Sequence, residues 1–158
     1  MSIDVVDLDF QNSNQVDQFL AILQSYALED GAGAVGIPQD VQDRLPALLD
    51  AFPTRHVLLA VENGVAIGVA VCFCGFSTFK ARPVLNIHDL AVLPAHRGKK
   101  VGTTLLNAAK QRATELGCSK VTLEVIETNE AARRLYEREG FRNPTDSSPS
   151  LFLEHHLP

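Results

Sequence analysis

Two groups of residues in this 158-residue chain have the types and spacing to do chemistry. The first is Arg97-Gly98-Lys99-Lys100-Val101-Gly102-Thr103, a short basic loop after the apolar run Leu90-Ala91-Val92-Leu93-Pro94. A strand, a glycine loop and a helix start in that order aim unpaired backbone N–H groups and a positive dipole end at one spot. Such a corner suits an anion, above all a phosphate. The second group is titratable. Glu124 is a lone carboxylate in Val121-Thr122-Leu123-Glu124-Val125-Ile126, where burial would raise its pKa toward the range of a useful base. His88, with an ordinary pKa near ~6.5, adjoins Asp89, and strand alternation turns only one of the two to a given face. Each of these three also has a plain structural reading, as a hydrogen-bonded side chain at a sheet face or strand end. Tyr136 shares a helical face with Asn129 and Ala132 through the spacing i, i+3, i+7, which equally suits a core tyrosine.

Positioning these groups falls to ten predicted elements. Residues 3–8 read as a strand, and residues 14–28 as a helix with Val16, Phe19, Leu20, Leu23 and Ala27 at helical spacing. A glycine-rich connection over 31–36 follows, and Pro38 opens a second helix carrying Val41, Leu45, Leu48 and Leu49. Residues 56–61 and 65–73 are β-rich runs joined by Glu62-Asn63-Gly64, a strong hairpin signal. A strand over 84–93 stops at Pro94, and a helix over 101–116 stops at Gly117. Residues 120–126 read as a strand, Asn129 caps a helix that ends before Gly140, and residues 150–155 read as a final strand. The order mixes an antiparallel hairpin with a parallel strand–helix–strand crossover. It predicts an α/β fold with a mixed sheet flanked by helices, and excludes a doubly wound nucleotide fold.

Composition narrows the function classes. At this length one domain over residues 1–158 is expected. Hydrophobic residues at 46% and charged residues at 21% fit a soluble globular protein. A net charge of −5 argues against a nucleic-acid partner held by phosphate neutralisation. No run approaches the ~18 apolar residues that span a bilayer, and the start lacks a basic-then-apolar leader, so no membrane partner and a cytoplasmic location are expected. Cys72, Cys74 and Cys118 form neither a disulfide framework nor a zinc pattern, and read as small buried hydrophobes.

The basic loop fits neither Gly-x-x-x-x-Gly-Lys-Ser/Thr nor Gly-x-Gly-x-x-Gly. Arg97-Gly98-Lys99-Lys100-Val101-Gly102 instead resembles the coenzyme-A signature Arg/Gln-x-x-Gly-x-Gly/Ala of the GNAT superfamily of N-acetyltransferases. Asn129-Glu-Ala-Ala-Arg-Arg-Leu-Tyr136-Glu-Arg-Glu-Gly140-Phe141 resembles a second motif of that superfamily, and the matched segments span residues 84–141. Lys100 departs from the pattern, which usually has glycine there; a side chain at that position must accept a backbone angle that favours glycine.

The resemblance implies a GNAT-type fold and direct transfer of acetyl from acetyl-CoA, as co-substrate and without a metal, to a primary amine. That chemistry needs a base for the ammonium, a donor for the developing oxyanion and a proton for the leaving thiolate. By resemblance, Leu90, Ala91 and Val92 pair with pantetheine, and a backbone N–H near Leu90 or Ala91 serves the oxyanion. Arg97, Gly98, Lys99, Lys100, Val101, Gly102 and Thr103 hold the pyrophosphate, with Asn129, Ala132 and Tyr136 on the pantetheine side. Tyr136 is then the acid, and the base is Glu124, His88, Asp89 or a water chain. Phe73, Phe76 and Phe79 with residues 85–89 are similar to polyamine and diamine acetyltransferases, with residues 24–55 and 73–83 lining the acceptor side. Glu29, Asp30, Asp40 and Asp89 are then candidates to hold a second ammonium. A small cationic amine is the expected acceptor, with peptide or protein amines as the alternative, and a homodimer is expected. A non-catalytic acyl-CoA-binding module and an interaction domain are the readings from other classes.

Overall fold

In a computed structural model, described over residues 2–29, 33–144 and 150–158, five strands form one sheet in the order β1-β2-β3-β4-β5. The strands are β1 (Asp4–Asp7), β2 (Arg55–Glu62), β3 (Val65–Ser77), β4 (Arg82–Val92) and β5 (Val121–Leu123). Neighbours run antiparallel except β4 and β5, which are parallel. The helices are α1 (Ser13–Ala27), α2 (Gln39–Asp50), α3 (Val101–Glu115) and α4 (Glu130–Arg138). As expected, the sheet is mixed and its parallel step is the crossover through α3.

Both sheet faces are covered, which explains why the central strands are apolar at consecutive positions. Val57, Leu59, Val69 and Val71 face Phe19, Ile22 and Leu23 of α1 and Leu49 of α2. Leu58, Ala60, Ile67 and Ala70 face Val101, Leu105, Leu106 and Ala109 of α3, with Leu135 and Tyr136 of α4 at the margin. The β2–β3 turn uses Asn63 at φ 52° and Gly64 at φ 80°, the paired positive angles of a tight hairpin. Gly68 lets α3 lie close to the sheet: a Cβ there would meet the Ala91 carbonyl oxygen, Leu105 Cδ1 and Val101 Cγ1, each at 3.1 Å.

Two departures from the predicted elements shape the site. β5 pairs with β4 over only Leu85–Ile87, so β4 continues through residues 88–92 with no partner on that side among the described residues. Glu124, expected within β5, lies beyond its end and is exposed, as are Val125 and Ile126. The expected final strand is absent: residues 150–155 carry no regular structure and are exposed. Their β-rich composition found no strand edge to pair with, and propensity alone does not make a strand. The glycine-rich connection lies in part outside the described residues.

Candidate active site

Two clefts open on either side of the free edge of β4. One, about 410 Å³, lies between the sheet and helices α1 and α2. The other, about 380 Å³, is bounded by residues 90–92 of β4, the loop before α3, and one face of α4. Tyr26, near the end of α1, lines both.

The second cleft gathers the residues of the basic loop. Arg97, Gly98, Lys100, Val101, Gly102 and Thr103 line it, and so do Leu90, Ala91 and Val92. Lys99 does not; it is exposed outside the cleft. After a 3₁₀ turn at Pro94–His96, Gly98 takes φ 73° and Lys100 takes φ 65°, ψ 15°. Lys100 thus accepts the left-handed backbone for which the motif it resembles usually has glycine, at a cost of about 1–2 kcal/mol. Lys100 is also the N-cap of α3, and its side chain makes no capping bond. No acid sits in the first turn of that helix either. Uncapped N–H groups, a positive dipole end and the Lys100 ammonium make a donor set suited to a phosphate diester.

Arg97 is held across this cleft. Its Nε donates to the Val92 carbonyl at 3.1 Å, and its guanidinium pairs with Glu29 just beyond the end of α1. Glu29, expected to face a second ammonium, instead lines the cleft of the basic loop. On α4, the Asn129 side chain accepts from the Ala132 N–H at 3.2 Å and so caps the helix as predicted. Asn129, Ala132 and Tyr136 all line the cleft. Tyr136 packs edge-on against Phe141, with ring centroids 6.0 Å apart. Burial, with a smaller contribution from the Tyr26 phenol, pushes its pKa up to about 12.

Opposite this face, His88 and Asp89 line the first cleft together. Strand alternation forbids that, and a β-bulge permits it. Val71 pairs with Asp89 and Cys72 with Ile87, so His88 is the extra residue and the alternation restarts after it. Burial holds the Asp89 carboxyl above its usual range, with His88 pulling in the other direction. The His88 ring stands edge-on to Phe73, with centroids 5.6 Å apart. Burial and then the negative charges of Asp89 and Glu29 also raise the Tyr26 phenol.

Three other expectations are corrected. Glu124 lines neither cleft, and the burial that argued for it as a base is absent. Of the three phenylalanines only Phe73 reaches the first cleft; Phe76 is 65% and Phe79 99% exposed, beyond the core-facing part of β3. Asp40 is exposed and paired with Arg44 at 3.3 Å, while Asp30 lies outside the described residues. Tyr26 was missed, although its place three residues after Leu23 and seven after Phe19 puts it on the buried face of α1. Buried Cys72 has its thiol pushed up to about 12, which suits a packing role.

The fold is one found among acetyltransferases. An aminoglycoside acetyltransferase from an uncultured soil metagenomic sample, solved with sisomicin, superposes with a TM-score of 0.78 over 99% of this chain and 97% of its own, at 17% identity. The sequence carries the likeness further, because residues 20–141 match the Acetyltransferase (GNAT) family. An uncharacterised N-acetyltransferase of Archaeoglobus fulgidus is 37% identical over 136 residues, 84% of this chain and 90% of that protein. The aminoalkylphosphonate N-acetyltransferase of Salmonella typhimurium is 35% identical over 95 residues, 60% of each chain. The chain belongs to the GNAT family, and it is an acetyl-CoA-dependent N-acetyltransferase. Among the described residues no helix is long and apolar enough to cross a membrane.

Proposed function

We propose that the chain transfers acetyl from acetyl-CoA directly to the primary amine of a small molecule, with the two clefts holding one reactant each. The observation that carries this reading is their junction. Tyr26 lines both clefts, Tyr136 stands in one, and the bulge brings His88 and Asp89 into the other. An amine arriving from the α1–α2 side therefore meets a base before it reaches the free edge of β4.

Acetyl-CoA supplies the acyl group as a thioester. In the assigned roles, Leu90 and Val92 of the free β4 edge hold the pantetheine arm, and Lys100, Val101, Gly102 and Thr103 hold the pyrophosphate. The Asp89 carboxylate or the His88 imidazole takes a proton from the acceptor ammonium, which frees the nitrogen lone pair. A raised carboxyl pKa suits that task, since a base works best when its pKa approaches the working pH. As the nitrogen–carbon bond forms and the carbon–sulfur bond breaks, a backbone N–H of Leu90 or Ala91 donates to the carbonyl oxygen. Tyr136 gives its phenolic proton to the sulfur, and the second proton that the nitrogen sheds on becoming an amide restores the phenol. A phenol raised to about 12 is still protonated at neutral pH and available to donate.

The test is a thiol-release screen with acetyl-CoA across alkylamines, diamines, amino acids, aminoglycosides and peptides. Amine-dependent release is expected. Acetyl-CoA binding without release for any amine would favour a non-catalytic binding module instead.

A further inference from the structure

The α1–α2 cleft is furnished for one charge and a hydrocarbon body. Nine of the twelve described residues that line it carry hydrocarbon side chains, among them Phe19 and Leu49, which are 0% and 8% exposed. The remaining three are Tyr26, His88 and Asp89, so among the described residues Asp89 is the one carboxylate lining the cleft. The wall from α2 consists of Val41, Leu45 and Leu49 and presents no charge. Three described carboxylates near it in sequence have cationic partners outside the cleft. Asp40 pairs with Arg44, Glu29 with Arg97, and Asp50 with Arg55 at 2.5 Å.

We propose that the acceptor is a monoamine bearing an apolar body, an alkyl- or arylalkylamine with a single ammonium, rather than a diamine or polyamine. This rests on the acetyl-transfer reading above and names its substrate class. One ammonium meets Asp89 and gives up its proton there. A second would lie against hydrocarbon with no partner, and an unpaired buried charge is strongly disfavoured. An anionic tail fares no better, because no Lys or Arg lines the cleft. An apolar body gains from every methylene it removes from water.

The test compares n-butylamine, n-hexylamine and 2-phenylethylamine with 1,4-diaminobutane and 1,6-diaminohexane. Initial rates are read by thiol release, and affinities by calorimetric titration of hexylamine and 1,6-diaminohexane into the CoA-saturated protein. Each added methylene should raise kcat/KM about fourfold until the cleft is filled. Hexylamine should exceed 1,6-diaminohexane at least about tenfold in both readouts. Leu45→Glu, which adds a second carboxylate to the α2 wall, should shift that preference toward the diamine; if it fails to fold, the wild-type series still decides. Diamines that match or beat monoamines, or rates indifferent to chain length, overturn the inference while leaving acetyl transfer intact. Absence of thiol release with every amine overturns both.

Discussion

Tyr136→Phe is the most direct perturbation of the proposed mechanism, because it removes one oxygen and little else. The ring sits against Phe141 at 6.0 Å and joins the cluster around α3, so phenylalanine keeps the packing. The hydroxyl is a different matter. Raising a phenol from 10 to about 12 disfavours the phenolate by ~3 kcal/mol, and at pH 7 only on the order of one molecule in 10⁵ is ionised. Tyr136 is therefore a full-time proton donor at working pH. Loss of a positioned general acid should lower kcat by roughly 10²–10⁴-fold, or about 3–5 kcal/mol of barrier. The KM for acetyl-CoA should change by no more than about twofold, since the loop contacts are untouched. Thiol release measured from pH 6 to 10 provides the assay. The sign is definite: a donor whose pKa is raised loses its proton only as pH approaches about 12, so wild-type turnover has no alkaline limb from this group below pH ~10. The reasoning fails if the variant turns over within about threefold of wild type. It fails also if wild type shows an alkaline limb near pH 10 that the variant lacks.

Three further outcomes follow from single sites. Asp89→Asn should slow turnover yet raise the melting temperature at pH 7. Burial raises the folded-state pKa of Asp89, so its ionised form is disfavoured in the fold and stability falls as pH rises through that window. The advantage of asparagine should vanish below pH ~4, where the wild-type carboxyl is protonated in both states, and a lower melting point at pH 7 would contradict it. Lys100→Gly should relieve the left-handed strain, stabilising by up to about 1 kcal/mol after the entropy of glycine is counted. It should at the same time raise the KM for acetyl-CoA about two- to fivefold at low salt, and unchanged KM would remove the ammonium from the phosphate site. Gly68→Ala should destabilise by about 1–3 kcal/mol, roughly 2–12 °C by calorimetry, because the Ala91 carbonyl at 3.1 Å is backbone and cannot swing aside.

Much of this protein was legible in one dimension because the signals are local. The hairpin at Asn63-Gly64, the cap at Asn129, the stop at Gly117 and the loop from Arg97 to Thr103 each arise from contacts within a few residues. The strand, loop and helix start of that corner are likewise a backbone property, and its residues apart from Lys99 line one cleft. Strand limits were less secure, since a strand exists only where a partner does. Residues 150–155 have strand composition and no strand, and β5 ends at Leu123, which leaves Glu124 exposed.

What the sequence by itself determined is the family and the order of the elements from β1 to α4. Tertiary structure alone decided which groups meet. The bulge between Val71 and Cys72 put His88 and Asp89 in one cleft, against the parity that the strand pattern implies. The approach of α1 to the sheet brought Tyr26 to the junction and Glu29 to Arg97, a pair 68 residues apart in the chain. Register shifts and long-range pairings leave no periodic trace in the sequence, because they are settled by the packing of two elements against each other and not by either one alone.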